Sequence, residues 1–233
     1  MPKGIALHAV IPVRAFAKES AEQVTQLLFA ETVDFIEDKP RWIKIRNHAD
    51  RQEGWVDSKM ITPLSEAEWQ QYNKEPKTAR VKLPITYALS ENNGQTIPLS
   101  AGTILPSYQE GAFSLLGVKF RIDPSAVQME REQMSSDNLM RTTRFFLNVP
   151  YLWGGKNGMG YDCSGFVQVI ISLFGGYMPR NASEQAHEGQ EIAALSQART
   201  GDLVFLGHNN RKISHTGILL DKERVIHCSG RVK

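Results

Sequence analysis

Apolar and polar residues alternate in short runs over residues 1–62, and polar turns separate the runs. β-Branched and aromatic residues are frequent in these runs, which is typical of strands. Their spacing of roughly ten residues is the one expected of a small barrel. We therefore predict an all-β domain over 1–62, with strands at 5–14, 22–28, 32–37, 42–46 and 54–57.

The alternation stops over residues 63–79, where prolines and charged residues take its place. Ser65 stands three residues before Glu68, and this spacing predicts a capping box at the start of a short helix. Pro63 and Pro76 enclose the segment. Because prolines interrupt regular structure, we predict a linker over 63–79 that contains this short helix.

Strand-like runs return over residues 80–123, less regular than the first set. The sequence Asn92-Asn93-Gly94 predicts a tight turn among them. This region is predicted to form a second small β-domain over 80–123, with strands at 80–89, 103–105, 112–116 and 118–122.

Helical periodicity replaces the strand-like pattern after residue 124, and strand-like runs return near residue 201. The run 163–174 is apolar on almost every side, which is typical of a helix buried in a core, and Gly175-Gly176 is predicted to end it. Helical spacing precedes this run and strand-like runs follow it. Helices followed by an antiparallel meander predict an α+β domain over 124–233. Its expected elements are helices at 137–147 and 163–174 and strands beginning at 201, 215 and 224.

Composition excludes two classes of partner. The chain has 233 residues, of which 41% are hydrophobic and 22% charged. Its 27 basic residues nearly balance 25 acidic ones, for a net charge of +2. A balance this even predicts neither nucleic-acid binding nor polybasic attachment to a membrane.

The N-terminal residues contain no uninterrupted apolar segment and no cleavage site of small residues. We therefore expect no signal peptide and no membrane span. A cytoplasmic location follows as the expectation, and a periplasmic or secreted location is the alternative if a leader has been removed.

Cys163 stands behind a glycine-rich turn at the start of the apolar helix. Asp162 has the residue type and position of a helix N-cap. A thiol in the first helical turn feels the positive end of the helix dipole, and we predict that this lowers its pKa. Cys163 is therefore a candidate nucleophile, although a lone cysteine is more often an ordinary buried residue. A chain this long does not need a disulfide to Cys228.

Two histidines supply the groups that cysteine catalysis requires. A base must take the thiol proton, and a third polar group must orient that base. His215 and His227 lie on successive predicted strands, and they come close if those strands pair across the turn at Asp221. The predicted constellation is Cys163 as nucleophile, His215 as base and His227 as the orienting group.

Residues 137–233 resemble the NlpC/P60 cysteine peptidases, which cleave cell-wall peptides. The resemblance rests on motifs in a fixed order: Pro150-Tyr151-x-Trp153-Gly154-Gly155, Asp162-Cys163-Ser164-Gly165-Phe166, Pro179-Arg180-x-x-x-x-Gln185, Gly201-Asp202-Leu203-Val204-Phe205, His215-x-Gly217-Ile218 and Ile226-His227. In the first region, Trp42-Ile43-Lys44-Ile45-Arg46 followed by Gly54-Trp55-Val56 resembles a bacterial SH3-like domain. The whole chain is similar to γ-D-glutamyl-L-diamino acid endopeptidases.

The resemblance implies one or two small all-β SH3-like barrels followed by an α+β, papain-like catalytic domain. It implies a triad of Cys163, His215 and His227. The implied reaction is hydrolysis of the bond between γ-linked D-Glu and a diamino acid in peptidoglycan-derived peptides that begin with a free L-Ala. Family members continue through at least one more strand after the second histidine, so a shortened or differently closed sheet is expected before Lys233.

The resemblance also implies substrate-binding residues. Asp162 is expected to hold the substrate ammonium group, and Tyr151 and Ser164 are expected to line the pocket. Glu22 is the expected ammonium partner from the first SH3-like domain, because a buried ammonium group needs paired anions. We expect no metal, no cofactor and a monomeric protein.

Three other hypotheses fit parts of the pattern. Cys163, His215, His227 and Cys228 are residue types that bind zinc, but neighbours on a strand point to opposite faces, which argues against His227 and Cys228 sharing one ion. A wall-binding protein without catalysis is the second hypothesis. The third is another Cys–His acyl chemistry, such as amidase or acyltransferase activity.

Overall fold

The computed structural model describes residues 1–129, 132–208 and 212–233. The chain forms two compact units, Met1–Glu130 and Arg131–Lys233. The first unit is mainly β-structure, and the second combines helices with antiparallel strands. This arrangement confirms the predicted fold class.

The first unit begins with a seven-stranded antiparallel sheet made of β1 (Lys3–Ala6), β2 (Val10–Arg14), β3 (Gln23–Leu28), β4 (Thr32–Lys39), β5 (Trp42–Asn47), β6 (Glu53–Asp57) and β7 (Ile61–Leu64). The hydrogen-bonded order is β3-β2-β6-β5-β4-β1-β7. The predicted run 5–14 is two strands, because β1 pairs with β4 and β7 whereas β2 pairs with β3 and β6. Val13, Ile45 and Val56 share the apolar core of this sheet.

The segment expected as a linker has regular structure in the first unit. Its first residues complete β7, and helix α1 (Glu66–Lys74) follows with the predicted capping box between Ser65 and Glu68. Tyr72 on this helix is buried, and its hydroxyl donates a hydrogen bond to the carbonyl oxygen of Ala30 at 2.8 Å. The helix is therefore packed into the core, which a local reading of prolines and charges does not reveal.

The rest of the first unit contains β8 (Ala79–Val81), β9 (Ile85–Ser90), β10 (Thr96–Ser100), β11 (Ile104–Leu105), β12 (Ala112–Leu115), β13 (Val118–Ile122) and β14 (Val127–Gln128). They form one sheet in the order β10-β9-β13-β12 and another in the order β11-β8-β14. The turn at Gly94 joins β9 to β10, a strand that the pattern of the sequence did not predict.

The two β-regions of the first unit share one hydrophobic cluster. Phe29 follows β3 and makes edge-to-face contacts with Phe113 at 6.3 Å and Phe120 at 5.6 Å between ring centroids. Tyr72 and Ile5 belong to the same cluster. Apolar side chains of the first sheet are thus buried by those of the second region.

The second unit has helices before its main sheet, as predicted. Its elements are α2 (Ser136–Thr143), a 3₁₀ turn (Arg144–Phe146), β15 (Lys156–Asn157), β16 (Gly160–Tyr161), α3 (Cys163–Leu173), α4 (Ala182–Gln185), β17 (Leu203–His208), β18 (Lys212–Leu219), β19 (Val225–Ser229) and β20 (Arg231–Val232). The sheet order is β17-β18-β19-β20, all antiparallel. β20 adds a fourth strand to the three that were predicted.

Helix α3 is the buried centre of this unit and packs against β18 and β19. Asp162 caps its start, as the sequence predicted. At its end Gly175 has φ +79°, and the amide of Gly176 donates to the carbonyl oxygen of Ile171 at 2.9 Å. This is the left-handed glycine termination expected of a Gly-Gly pair.

Among the residues that the structure describes, no helix has the length and apolar character needed to cross a membrane.

Candidate active site

A tight backbone turn leads into α3 and fixes where the helix starts. Gly154 has φ +69°, and the amide of Asp162 donates to the carbonyl oxygen of Gly155 at 3.1 Å. A Cβ atom on Gly165 would lie 2.2 Å from that same carbonyl oxygen. The turn and the first helical turn therefore touch through backbone atoms, which only glycine allows.

Asp162 is more than a cap. Its Oδ1 accepts hydrogen bonds from the Gly165 amide at 2.6 Å and the Ser164 hydroxyl at 3.2 Å, and its Oδ2 accepts from the Gly154 amide at 3.0 Å. The carboxylate joins the turn before the helix to the first turn of the helix.

Arg180 completes this arrangement. Its side chain is 1% exposed, and its two Nη atoms bind the two carboxylate oxygens of Asp162 at 2.6 and 3.0 Å. It also donates to the Ser164 hydroxyl at 3.0 Å. A bidentate pair of this kind is strong and directional. With five hydrogen-bond donors around it, Asp162 has its acceptor sites filled and its charge compensated.

The bonds from Arg180 affect the expectation that Asp162 holds the substrate ammonium group. A substrate ammonium group would have to share a carboxylate that Arg180 already binds on both oxygens. We therefore describe Asp162 as the structural anchor of the site, and its contact with substrate stays a prediction.

Gln185 is a second buried residue that sequence reasoning did not select. Its Nε2 donates to the carbonyl oxygens of Ser164 at 3.0 Å and Pro179 at 2.9 Å. These bonds tie α4 to the first turn of α3. Arg180 and Gln185 both belong to the motif Pro179-Arg180-x-x-x-x-Gln185, but the sequence does not indicate which groups they contact.

Cys163 is the first residue of α3 and is 7% exposed. Burial raises the pKa of its thiol, and the charge of Asp162 raises it further. Hydrogen bonds from the backbone amides of Thr216 and Ser164, and the charge of Arg180, act in the opposite direction without reversing the shift. The predicted lowering of this pKa is therefore wrong, because desolvation outweighs the helix terminus. The resting thiol needs a base.

The hydrogen bond from the Thr216 amide places the Cys163 thiol against β18, the strand that also carries His215. His215 Nε2 lies 2.7 Å from His227 Nδ1, and the two rings meet edge to face at 84°. Strands β18 and β19 pair across the turn at Asp221, and Gly217 is directly opposite His227. The structure thus brings the two predicted histidines together.

The contact between the two histidines determines which nitrogen of the His215 ring carries the proton. For His215 to accept the thiol proton at Nδ1, its neutral ring must carry its proton on Nε2 and donate it to His227 Nδ1. Burial lowers the pKa of both rings, and the charge of Lys233 lowers both further. His227 also lowers the pKa of His215. Both rings are therefore neutral near pH 7, and His215 is ready to act as a base.

The pKa shifts of His215 and Cys163 predict how kcat/KM and thiol alkylation change with pH. His215 acts only when it is unprotonated, and burial lowers its pKa, so kcat/KM should rise with pH through a limb centred below the ordinary pKa of histidine. Burial raises the pKa of the Cys163 thiol, so the rate of iodoacetamide alkylation should rise only at a pH above the ordinary pKa of cysteine, where the free thiolate forms. Both profiles are measurable between about pH 4 and about pH 10. An acid limb above pH 7 would contradict the neutral histidine pair.

Gly217 leaves the space in which His227 sits. A Cβ atom there would lie 2.7 Å from Cγ1 of Val225, 2.9 Å from the carbonyl oxygen of Ile226 and 3.0 Å from Cβ of His227. The absence of a side chain at Gly217 leaves this space free beside His227, whose Nδ1 lies 2.7 Å from Nε2 of His215.

We expect Gly217→Ala to lower kcat by about 10- to 100-fold, because displacing a catalytic group by about an ångström has effects of this size. Thermal unfolding should show a folded protein. Lys222→Ala, an exposed change in the turn between the same strands, is the matched control and should keep wild-type kcat. Equal kcat values for the two variants would show that the spacing at Gly217 does not matter.

Tyr151 and Ser164, the two residues expected to line the pocket, both lie close to Asp162. Burial, together with the nearby charge of Asp162, raises the pKa of Tyr151 to about 12, so its hydroxyl keeps its proton. Ser164 is buried, and its hydroxyl is held between Asp162 and Arg180. Their contact with substrate stays a prediction.

Glu22 lies in the first unit, exposed, just before β3. Its backbone carbonyl accepts a hydrogen bond from Ala15 at 2.9 Å. Its expected binding of the ammonium group stays a prediction.

Cys228 faces away from His227 into the core. It is fully buried, its Sγ donates to the carbonyl oxygen of Tyr161 at 3.1 Å, and burial raises its pKa to about 12. Both cysteines are free thiols. Within the described residues, no three His, Cys, Asp or Glu side chains are arranged to hold a metal ion.

Two segments of the chain match known families. Residues 148–233 match the NlpC/P60 family, and residues 9–62 match the bacterial SH3 domain. The chain therefore contains an NlpC/P60 domain, which is a cysteine peptidase domain, and a bacterial SH3 domain that precedes it in the sequence.

Two relatives extend this likeness along most of the chain. The γ-D-glutamyl-L-lysine dipeptidyl-peptidase of Bacillus subtilis strain 168 is 28% identical over 217 residues, which cover 87% of this chain and 71% of that protein. The protein of the same name from Bacillus cereus is 28% identical over 223 residues, covering 87% of this chain and 66% of that protein.

Solved structures share the fold. An NlpC/P60 family protein from Bacillus cereus superimposes with a TM-score of 0.86 at 20% identity, covering 99% of this chain and 92% of that one. An NlpC/P60 endopeptidase from Photobacterium damselae subsp. piscicida gives a TM-score of 0.73 at 19% identity, covering 93% and 56%. At these identities the likeness concerns the fold alone.

Proposed function

We propose that this protein is a cysteine peptidase that hydrolyses the bond between γ-D-Glu and a diamino acid in peptidoglycan stem peptides. The observation that carries the proposal is the buried Cys163 at a helix start, bound by the amide of Thr216 next to the His215–His227 pair. The names of the two Bacillus relatives support the choice of bond.

The first half of the reaction forms an acyl-enzyme. His215 takes the proton of the Cys163 thiol while Sγ attacks the γ-carbonyl carbon of D-Glu. The negative charge on the carbonyl oxygen is stabilised by the amide of Cys163 at the start of α3. His215 then gives its proton to the amino group of the diamino acid, the C–N bond breaks, and the amine leaves.

The second half regenerates the enzyme. Water attacks the thioester while His215 accepts one of its protons, the C–S bond breaks, and the γ-carboxyl group of D-Glu is released. The proton returns to Cys163. His227 holds the His215 ring in the same orientation through both halves, because its contact is to Nε2 and leaves Nδ1 for the thiol.

We also propose that the enzyme favours peptides with a free N-terminal L-Ala. Tyr151 and Ser164 supply hydroxyl groups beside the nucleophile, and Glu22 supplies the carboxylate that pairs with the ammonium group. Glu22 is needed in this proposal because Arg180 already compensates the charge of Asp162.

Glu22→Gln should raise KM for the free-amine tripeptide by about tenfold and leave KM for the N-acetylated tripeptide within about twofold. Steady-state kinetics on both peptides measures the difference. Glu37→Gln, an exposed acid in β4 of the same unit, is the matched control. The same KM change on both peptides would rule out an ammonium contact.

The decisive experiment is mass spectrometry of products from L-Ala-γ-D-Glu-L-Lys, its meso-diaminopimelate counterpart, and both peptides with the L-Ala amine acetylated. We expect L-Ala-γ-D-Glu and the free diamino acid, with acetylation slowing release by at least about tenfold. Cleavage at another bond would favour a different Cys–His acyl chemistry. Binding to peptidoglycan without any product would favour a wall-binding protein.

A cytoplasmic location and a monomeric state remain predictions. Cell fractionation and size-exclusion chromatography with light scattering test them separately from the activity.

A further inference from the structure

A groove of about 310 Å³ lies on the outer face of the sheet formed by β10, β9, β13 and β12 in the first unit. Two large apolar side chains line it, Tyr87 at 63% and Leu89 at 41% exposure. Their neighbour Ala88 points to the opposite face and is buried in the core. Tyr87 and Leu89 are two positions apart on β9, so they share its open face.

The strand register places a cation beside this apolar floor. Leu89 is directly opposite Thr96 of β10 on one side and Arg121 of β13 on the other. Because residues opposite one another share a face, the three side chains form a row across three strands. Arg121 binds Glu91 through Nε at 2.6 Å.

Another wall of the groove is a closely packed turn. The amide of Ile122 donates to the carbonyl oxygen of Gly111 at 2.8 Å, and a Cβ atom on Gly111 would lie 3.2 Å from Cγ of Pro124. Glu110, just before this glycine, has φ +46°, a conformation that is costly for a residue with a side chain. The fold therefore holds an acidic residue in an unfavourable backbone conformation at the edge of the groove.

Opposite charges line different parts of the groove. On the acidic wall, Asp123 joins Glu110, and a hydrogen bond from the Ser125 amide lowers the Asp123 pKa, so this carboxyl group is ionised at neutral pH. On the cationic side, Arg121 and Lys119 both pair with Glu91, which leaves one excess positive charge. An apolar floor with an anionic and a cationic border complements a small zwitterion.

We propose that this groove binds a short linear peptide that has a free ammonium group and a free carboxylate. The ammonium group pairs with Glu110 and Asp123, the carboxylate pairs with Arg121, and the peptide lies over Tyr87 and Leu89. A volume of about 310 Å³ suits a dipeptide or tripeptide. Peptides of this class are substrates and products of the proposed hydrolysis, but binding here uses residues of the first unit alone and requires no catalysis.

The test uses the full chain, ¹⁵N-labelled, titrated with the dipeptide L-Ala-γ-D-Glu and followed by amide chemical shifts. This dipeptide has no bond to a diamino acid, so the measurement is independent of the proposed activity. We expect saturable shifts at Leu89, Gly111 and Arg121, separate from any shifts at the start of α3. N-Acetylation of the dipeptide should weaken binding at the groove by about tenfold.

Charge variants identify the contacts. Arg121→Gln and Glu110→Gln should each weaken binding at the groove by about tenfold, and after N-acetylation Glu110→Gln should change it by less than about twofold. Lys18→Gln, an exposed cation elsewhere in the first unit, is the control and should leave binding unchanged. Groove shifts with N,N′-diacetylchitobiose equal to those with the dipeptide would overturn the proposal in favour of a glycan site. Dipeptide shifts confined to the second unit, or insensitivity to both variants, would overturn it outright.

Discussion

Replacing Cys163 by alanine is expected to lower kcat/KM for L-Ala-γ-D-Glu-L-Lys by at least about 10⁴-fold. The thiol is the attacking atom in the proposed reaction, and alanine supplies no nucleophile in its place. Loss of the buried thiol removes only a small side chain, so the protein should stay folded. Product release followed by mass spectrometry measures the residual rate.

The second cysteine provides the matched control. Cys228 is buried and keeps its proton, and its thiol contacts the backbone of Tyr161 rather than either histidine. Cys228→Ala should therefore keep kcat/KM within about threefold while lowering stability by about 1–2 kcal/mol. If Cys163→Ala and Cys228→Ala had similar activities, the assignment of the nucleophile would be wrong.

Replacing Arg180 by methionine is expected to destabilise the second unit by about 3–5 kcal/mol. Methionine fills a similar volume but leaves the Asp162 carboxylate buried without its cation. Native-state hydrogen exchange of the α3 amides reports the free energy of opening of this unit. The charge of Arg180 also lowers the Cys163 pKa, so the pH at which iodoacetamide alkylation accelerates should rise in the variant.

Two further variants separate a buried ion pair from simple loss of packing. Asp162→Asn combined with Arg180→Met removes both charges and should recover at least about half of the lost free energy, since no uncompensated charge remains. Arg224→Met breaks an exposed pair with Asp221 and should leave the stability of the unit almost unchanged, because water screens this pair. Equal losses of stability for Arg180→Met and Arg224→Met would show that the buried pair stabilises the unit no more than an exposed pair does.

Elements whose signals are local were predictable from the sequence. The start of α3 follows from Asp162 and its end from Gly175-Gly176, and both lie within one turn of the residues they control. The pairing of β18 with β19 follows from a short turn between two apolar strands. The division of residues 5–14 into β1 and β2 does not, because each half pairs with strands far away in the sequence.

In the candidate site, too, some residues could be predicted from local sequence and some contacts could not. Cys163, His215 and His227 stand out because their residue types are rare and their spacing fits a helix followed by a hairpin. Arg180 contacts Asp162 across 18 positions of sequence, and nothing near either residue indicates that contact. The direction of the Cys163 pKa shift could not be predicted from the sequence either. The helix start can be identified in the sequence, but the burial of the thiol depends on how β18 packs over it.

The cluster that joins the two β-regions through Phe29 limits how this protein can be rearranged. A fragment that ends at residue 62 would lose Phe113 and Phe120, so the Phe29 ring would be exposed to water and the fragment would tend to aggregate. The first 128 residues should therefore unfold in one cooperative step. For recombination, whether natural or designed, the transferable module is this whole β-unit, and a swap that cuts between its two regions is expected to fail.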